Sequence, residues 1–121
     1  MAKILIVDDD LETIKLLESL VRSNDHEPYS VSESRNAIKA VQTIMPDLVL
    51  LDIMMAEING IAICKLIKSD SETSSVRVIM VSALSDEGTK NDSFHAGADE
   101  FVSKPIHPKE FIHLINDTLN A

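Results

Sequence analysis

The sequence predicts an α/β protein built on an open, parallel five-stranded sheet with helices on both faces. Three observations predict it. Short apolar runs, partly β-branched, recur at Ile4–Val7, Leu48–Leu51 and Val76–Val81, as strands buried on both faces require. Segments with helical apolar spacing fill the gaps between strands. The two kinds of segment alternate five times, which is the pattern of successive β-α units. Right-handed crossovers then restrict the topology to a few arrangements.

The first strand, Ile4–Val7, runs into Asp8, Asp9 and Asp10. Leu11, Ile14, Leu17 and Val21 form the stripe of the first helix, with Asp9 and Glu12 spaced as a capping box. A weaker strand is expected near Pro28–Val31, because proline suits only the beginning or edge of a strand. Ala37, Val41, Ile44 and Met45 mark the second helix, stopped by Pro46. After the third strand, Leu48–Leu51, the third helix carries Ile63, Cys64 and Ile67. Arg77 interrupts the fourth apolar run and blurs its start. Ser85–Gly97 is predicted as a poor helix: it holds Gly88, and its only apolar residues are Phe94 and Ala96. It is therefore expected to be the least stable element. Glu100–Ser103 is the fifth strand, and Phe111, Ile112, Ile115 and Leu119 line the last helix after Pro108.

The chain has 121 residues, which fits one domain over residues 1–121. Its net charge of −9 does not attract phosphate backbones, so no nucleic-acid partner is expected for this domain. Cys64 is the only cysteine, so no internal disulfide can form, which fits a reducing cytoplasmic setting. Its place on a helix stripe makes it a core residue rather than a reactive thiol. No secretory leader is visible, and no apolar run approaches the ~20 residues of a membrane-spanning helix, so no membrane partner is expected. His26, His95, His107 and His113 show no metal-ligand spacing.

Ligands of an open α/β sheet bind beyond the carboxyl ends of its strands. There the sequence places Asp8, Asp9 and Asp10 after the first strand, and Asp52 after the third. Ser82 and Ala83 follow the fourth strand, and Lys104 and Pro105 the fifth. Crowded carboxylates repel one another unless a cation sits among them, and all-oxygen ligands favour Mg2+ or Mn2+. An aspartate can attack phosphorus to form an acyl phosphate. The transfer then needs mainly alignment and neutralisation of charge, which Mg2+, Lys104 and the Ser82 hydroxyl can supply from three sides. Each residue alone has a bland reading as a cap, loop or turn residue. Their joint occurrence at four strand ends is the signal.

Ile-Leu-Ile-Val-Asp-Asp (4–9), Asp-Leu-Val-Leu-Leu-Asp-Ile-Met-Met (47–55), Asn59-Gly60, Val-Ser-Ala (81–83) and Phe-Val-Ser-Lys-Pro (101–105) resemble the signature blocks of CheY-like response-regulator receiver domains of two-component signalling. The resemblance covers the whole chain. It implies a flavodoxin-like, doubly wound sheet of strand order 2-1-3-4-5 with five helices. It implies that Asp52 accepts the phosphoryl group. Asp9, Asp52 and the main-chain carbonyl of Met54 would bind Mg2+ directly, or Mn2+ in its place, with Asp8 acting through water. Asp10 would be a surface or capping residue. Ser82 would bond a phosphoryl oxygen, and Lys104 would pair with the same group, placed by a cis bond before Pro105. Ser82 and Phe101 would be the switch residues. The implied donor is a histidine kinase or histidine phosphotransferase. The implied reader is a downstream target protein on the surface of the fourth helix, fifth strand and fifth helix. The chain would be a signalling switch rather than a turnover enzyme.

One position departs from the family pattern: Ala56 stands where proline is usual, which is expected to loosen the loop Met55–Asn59. The Met1 start and short tail favour a stand-alone regulator over a receiver cut from a longer regulator or hybrid kinase. Two other classes fit less well. A Mg2+-dependent phosphatase would want an acid two residues past the nucleophile, where Met54 stands. A flavin carrier needs an anion-holding loop after the first strand, where Asp8–Asp10 would repel the phosphate.

Overall fold

The structure is a computed structural model that describes residues 1–121. Five strands form one sheet: β1 (Lys3–Val7), β2 (Glu27–Val31), β3 (Leu48–Leu51), β4 (Arg77–Ser82) and β5 (Glu100–Ser103). Between and after them run α1 (Leu11–Ser23), α2 (Ala37–Ile44), α3 (Gly60–Ser69), α4 (Glu87–His95) and α5 (Pro108–Leu119). A short 3-10 turn, Ser34–Asn36, precedes α2. All strand pairs are parallel, and the order is β2-β1-β3-β4-β5, as expected.

Alternation along the central strands divides the core into two layers. Leu5, Val7, Val49, Leu51, Val78 and Met80 pack with Ala37, Val41, Ile63, Cys64 and Ile67 of α2 and α3. Ile4, Ile6, Leu48, Leu50, Ile79 and Val81 pack on the other face, with Ile14, Leu17 and Val21 of α1 and Phe111 and Ile115 of α5. Cys64 is buried in the first layer, where burial pushes its thiol up to about 11. No helix is long and apolar enough to cross a membrane.

Several boundaries differ from the sequence reading. The cap of α1 is Asp10, not Asp9: its carboxylate accepts from the Glu12 N–H at 3.3 Å and the Thr13 hydroxyl at 2.7 Å. Leu11, the first residue of the expected stripe, is 62% exposed. Met45 is not part of α2 but its left-handed C-cap at φ 49°, since Pro46 disfavours helical backbone in the residue before it. β4 begins at Arg77 and includes Ser82; the Arg77 guanidinium leaves the strand edge to donate to the Thr118 and Ala121 carbonyls, both at 2.6 Å. Pro28 lies within β2, tolerated because β2 is an edge strand.

The fourth helix is shorter than the segment Ser85–Gly97 and sparsely packed. It buries only Ser93, and Phe94 remains 45% exposed. The helix ends in a Schellman motif: Gly97 at φ 105° donates to the Phe94 carbonyl and Ala98 to the Ser93 carbonyl.

Candidate functional site

The hydrogen-bond ladder continues past the strand ends and fixes the residues there. The Asp8 N–H donates to the Val31 carbonyl at 3.2 Å, that of Asp52 to Val7 at 2.9 Å, and that of Lys104 to Ser82 at 2.9 Å. Asp8, Asp52, Ser82 and Lys104 are thereby held along one edge of four neighbouring strands. The bond between Lys104 and Pro105 is cis.

The carboxylates converge. One oxygen from each of Asp8, Asp9 and Asp52 lies within 4.8 Å of the others. Asp8 and Asp52 are buried and Asp9 is exposed. Asp8 Oδ1 accepts from the Asp10 N–H at 2.9 Å, while its Oδ2 faces Lys104 Nζ at 3.0 Å. Asp52 Oδ1 accepts from the Ile53 N–H at 2.9 Å and lies 3.7 Å from the same ammonium. One ammonium against three carboxylates leaves the cluster negative. Burial first, then the charge of Asp8, push the Asp52 carboxyl up to about 6 against the pull of Lys104. An all-oxygen, net-negative cluster that is partly buried fits a hard divalent cation.

Ser82 is fully buried at the end of β4, and its Oγ accepts from the Leu84 N–H at 3.1 Å. That bond fixes the oxygen and leaves the hydroxyl proton to be donated. Met54 and Leu84 follow Asp52 and Ser82 by two residues, and both side chains are exposed. Phe101 is half-buried on β5, with Lys90 Nζ 5.9 Å from its ring centroid.

Two supporting residues escaped the sequence reading. The sequence marks Gly60 only as part of the Asn59-Gly60 motif. A Cβ there would stand 1.9 Å from the Asp52 carbonyl oxygen, so only glycine lets α3 start this close to the site. Ser34 had no sequence signal. Its hydroxyl donates to the Ala56 carbonyl and accepts from the Ile58 N–H at 3.2 Å. Ile58 also donates to Ala56 at 3.0 Å around Glu57 at φ 73°, a γ-turn of the strained hand. The loop expected to be loose at Ala56 is thus held from outside.

A family profile described as "Response regulator receiver domain" matches residues 4–116. The chain belongs to the response regulator receiver family. Phosphorylation of an aspartate and Mg2+ binding are general features of this family. MtrA of Mycolicibacterium paratuberculosis, named as a DNA-binding response regulator, is 34% identical over 110 residues, covering 91% of this receiver and 48% of MtrA. This receiver therefore spans about half the length of its mycobacterial relatives. A putative response regulator from Chloroflexus aurantiacus superposes with a TM-score of 0.94 at 27% identity, covering 99% of this receiver and 98% of that chain. The BeF3-activated DrrB receiver domain superposes at 0.90 with 26% identity, covering 100% and 99%.

Proposed function

We propose that residues 1–121 form one receiver domain that takes a phosphoryl group from a histidine kinase or histidine phosphotransferase onto Asp52. The observation that carries this reading is the placement of the buried Asp52 carboxylate. It lies beside two further carboxylates within 4.8 Å and an ammonium at 3.7 Å, at the carboxyl edge of the sheet. Asp9, Asp52 and the Met54 carbonyl would hold Mg2+, with Asp8 acting through water, and Mn2+ suits the same donors. When bound, the cation neutralises the carboxylates and polarises a phosphoryl oxygen.

The chain's own residues supply the rest. A carboxylate oxygen of Asp52 attacks phosphorus; the P–O bond forms as the P–N bond to the donor imidazole breaks, and the imidazole nitrogen keeps the electron pair. Lys104 swings from Asp8 towards the new phosphoryl oxygens, and the Ser82 hydroxyl donates to one of them. These contacts are stronger to the transferring group than to the free carboxylate, which is where charge stabilisation counts. Ser82 and Phe101 are the residues assigned to the switch. The sparsely packed α4 is the element free to move, so that a downstream protein meets a changed surface. The protein acts as a switch, not a turnover enzyme, and this domain contacts neither nucleic acid nor membrane.

A stand-alone regulator is one form of this reading. The greater length of MtrA favours a second form, in which these residues are the receiver module of a longer regulator. Incubation with acetyl phosphate and Mg2+ tests the chemistry common to both. The expected product carries one hydroxylamine-labile phosphoryl group and does not form in EDTA. A product stable to hydroxylamine, or equal product in EDTA, contradicts the proposal.

A further inference from the structure

We infer that Ser34 is a positioning residue for the cation site, bracing the loop that carries the Met54 carbonyl. The inference rests on the reading of that carbonyl as a cation ligand.

Ser34 opens the 3-10 turn after β2 and is 4% exposed, although it is far from Asp52 in sequence. Both hydrogen-bonding capacities of its hydroxyl are spent on one feature. The proton goes to the Ala56 carbonyl, and the oxygen accepts from the Ile58 N–H. These are the two ends of the γ-turn centred on Glu57. Glu57 has a side chain at φ 73°, a conformation that such residues hold only when their surroundings impose it. The surroundings here are the Ser34 hydroxyl. At the other end, the Gly60 N–H donates to the Ile53 carbonyl at 2.9 Å and closes the neck of the loop. Residues 53–60 are therefore clipped at the neck by their own backbone and at the tip by Ser34. Met54 lies between the two clips.

Alanine stands at 56, so no proline ring constrains this turn. Removing the Ser34 hydroxyl leaves a left-handed, non-glycine turn with only its own i to i+2 bond. Its relaxation would move the adjoining carbonyls. Mg2+ demands near-octahedral geometry, so displacement of one oxygen ligand is felt as lost affinity.

Ser34→Ala tests this. Mg2+ binding, followed by calorimetry, is expected to weaken on the order of 10-fold, as for other residues that orient a metal ligand. The Ile58 amide is expected to exchange faster with solvent. The rate of phosphorylation by acetyl phosphate is expected to return to the wild-type value at saturating Mg2+, because Asp52, Ser82 and Lys104 are untouched. Wild-type Mg2+ affinity in Ser34→Ala overturns the inference. So does a rate deficit that persists at saturating Mg2+, which marks a general structural defect. Asp9→Asn separates the two levels: if it binds Mg2+ as wild type does, the cation site itself is misread, whatever Ser34 does.

Discussion

The Lys104 ammonium pairs more closely with Asp8 than with Asp52, at 3.0 Å from Asp8 Oδ2 against 3.7 Å from Asp52 Oδ1. It is thus the counter-ion of a buried carboxylate, and the proposed transfer would draw it away to meet a phosphoryl group. Removing it leaves Asp8, 1% exposed, without an ionic partner. Lys104→Ala is therefore expected to lose about 2 kcal/mol of stability in Mg2+-free buffer. Mg2+ should stabilise this variant more than wild type, since a competing positive charge has gone. Urea denaturation of both proteins, with EDTA and with Mg2+, measures this. An equal gain from Mg2+ in the two proteins would sink the idea.

The second prediction concerns pH. Asp52 in the folded state sits at about 6, above its ordinary value of 3.8, so the fold binds a proton that the unfolded chain has released. Stability contributed by Asp52 therefore falls as pH rises from about 4 to 6, and the full cost applies above that window. Asp52→Asn carries no such charge. In EDTA near pH 7.5 it is expected to be more stable than wild type by up to about 3 kcal/mol, with the advantage shrinking towards pH 4. An advantage that is constant with pH, or absent, would show that the charged carboxylate is not disfavoured by burial and the charge of Asp8.

Gly60→Ala should be severe, because Gly60 is buried where α3 starts against the site. The added methyl meets the Asp52 carbonyl oxygen at 1.9 Å, and that atom is backbone, so the chain just past β3 must shift. A loss of about 3 kcal/mol is expected, together with slower phosphorylation of whatever remains folded. Wild-type stability and rate in this variant would mean that α3 can start further from the site at no cost.

Phosphoryl lifetime is the fourth prediction. Met54 and Leu84 stand at the exposed rim, and neither side chain can orient a water by a strong hydrogen bond. The phosphorylated state is expected to decay slowly on its own. With Mg2+ present, a Met54→Asn, Leu84→Glu double variant should lose phosphate faster. If its rate matches wild type, apolar shielding does not set the lifetime.

What could be read in advance follows from what is local. The central strands are apolar on both faces, so their runs stand out, and the site residues stand directly after them. The start of α1 was off by one residue because three successive aspartates can each cap a helix. The choice of Asp10 depends on Asp8 accepting its N–H, a tertiary detail. The fourth helix has no apolar stripe to read: its buried residue is Ser93, whose hydroxyl bonds back to the Thr89 carbonyl at 2.9 Å. Ser34 was invisible because its meaning lies in a loop reached only through the fold. The close approach of Gly60 to Asp52 was hidden for the same reason. At Ala56 the sequence shows only the missing proline, whereas the hydrogen bonds of Ser34 to this turn come from another element.

The most direct test of the account is the intact mass of the protein after acetyl phosphate and Mg2+, in wild type and in Asp52→Asn. Carboxylates also stand at Asp8 and Asp9, but Asp8 is tied to Lys104 and Asp9 faces solvent. Wild type is expected to gain the mass of one phosphoryl group and Asp52→Asn none. Equal phosphorylation of the two proteins would contradict the assignment of Asp52 and the function built on it.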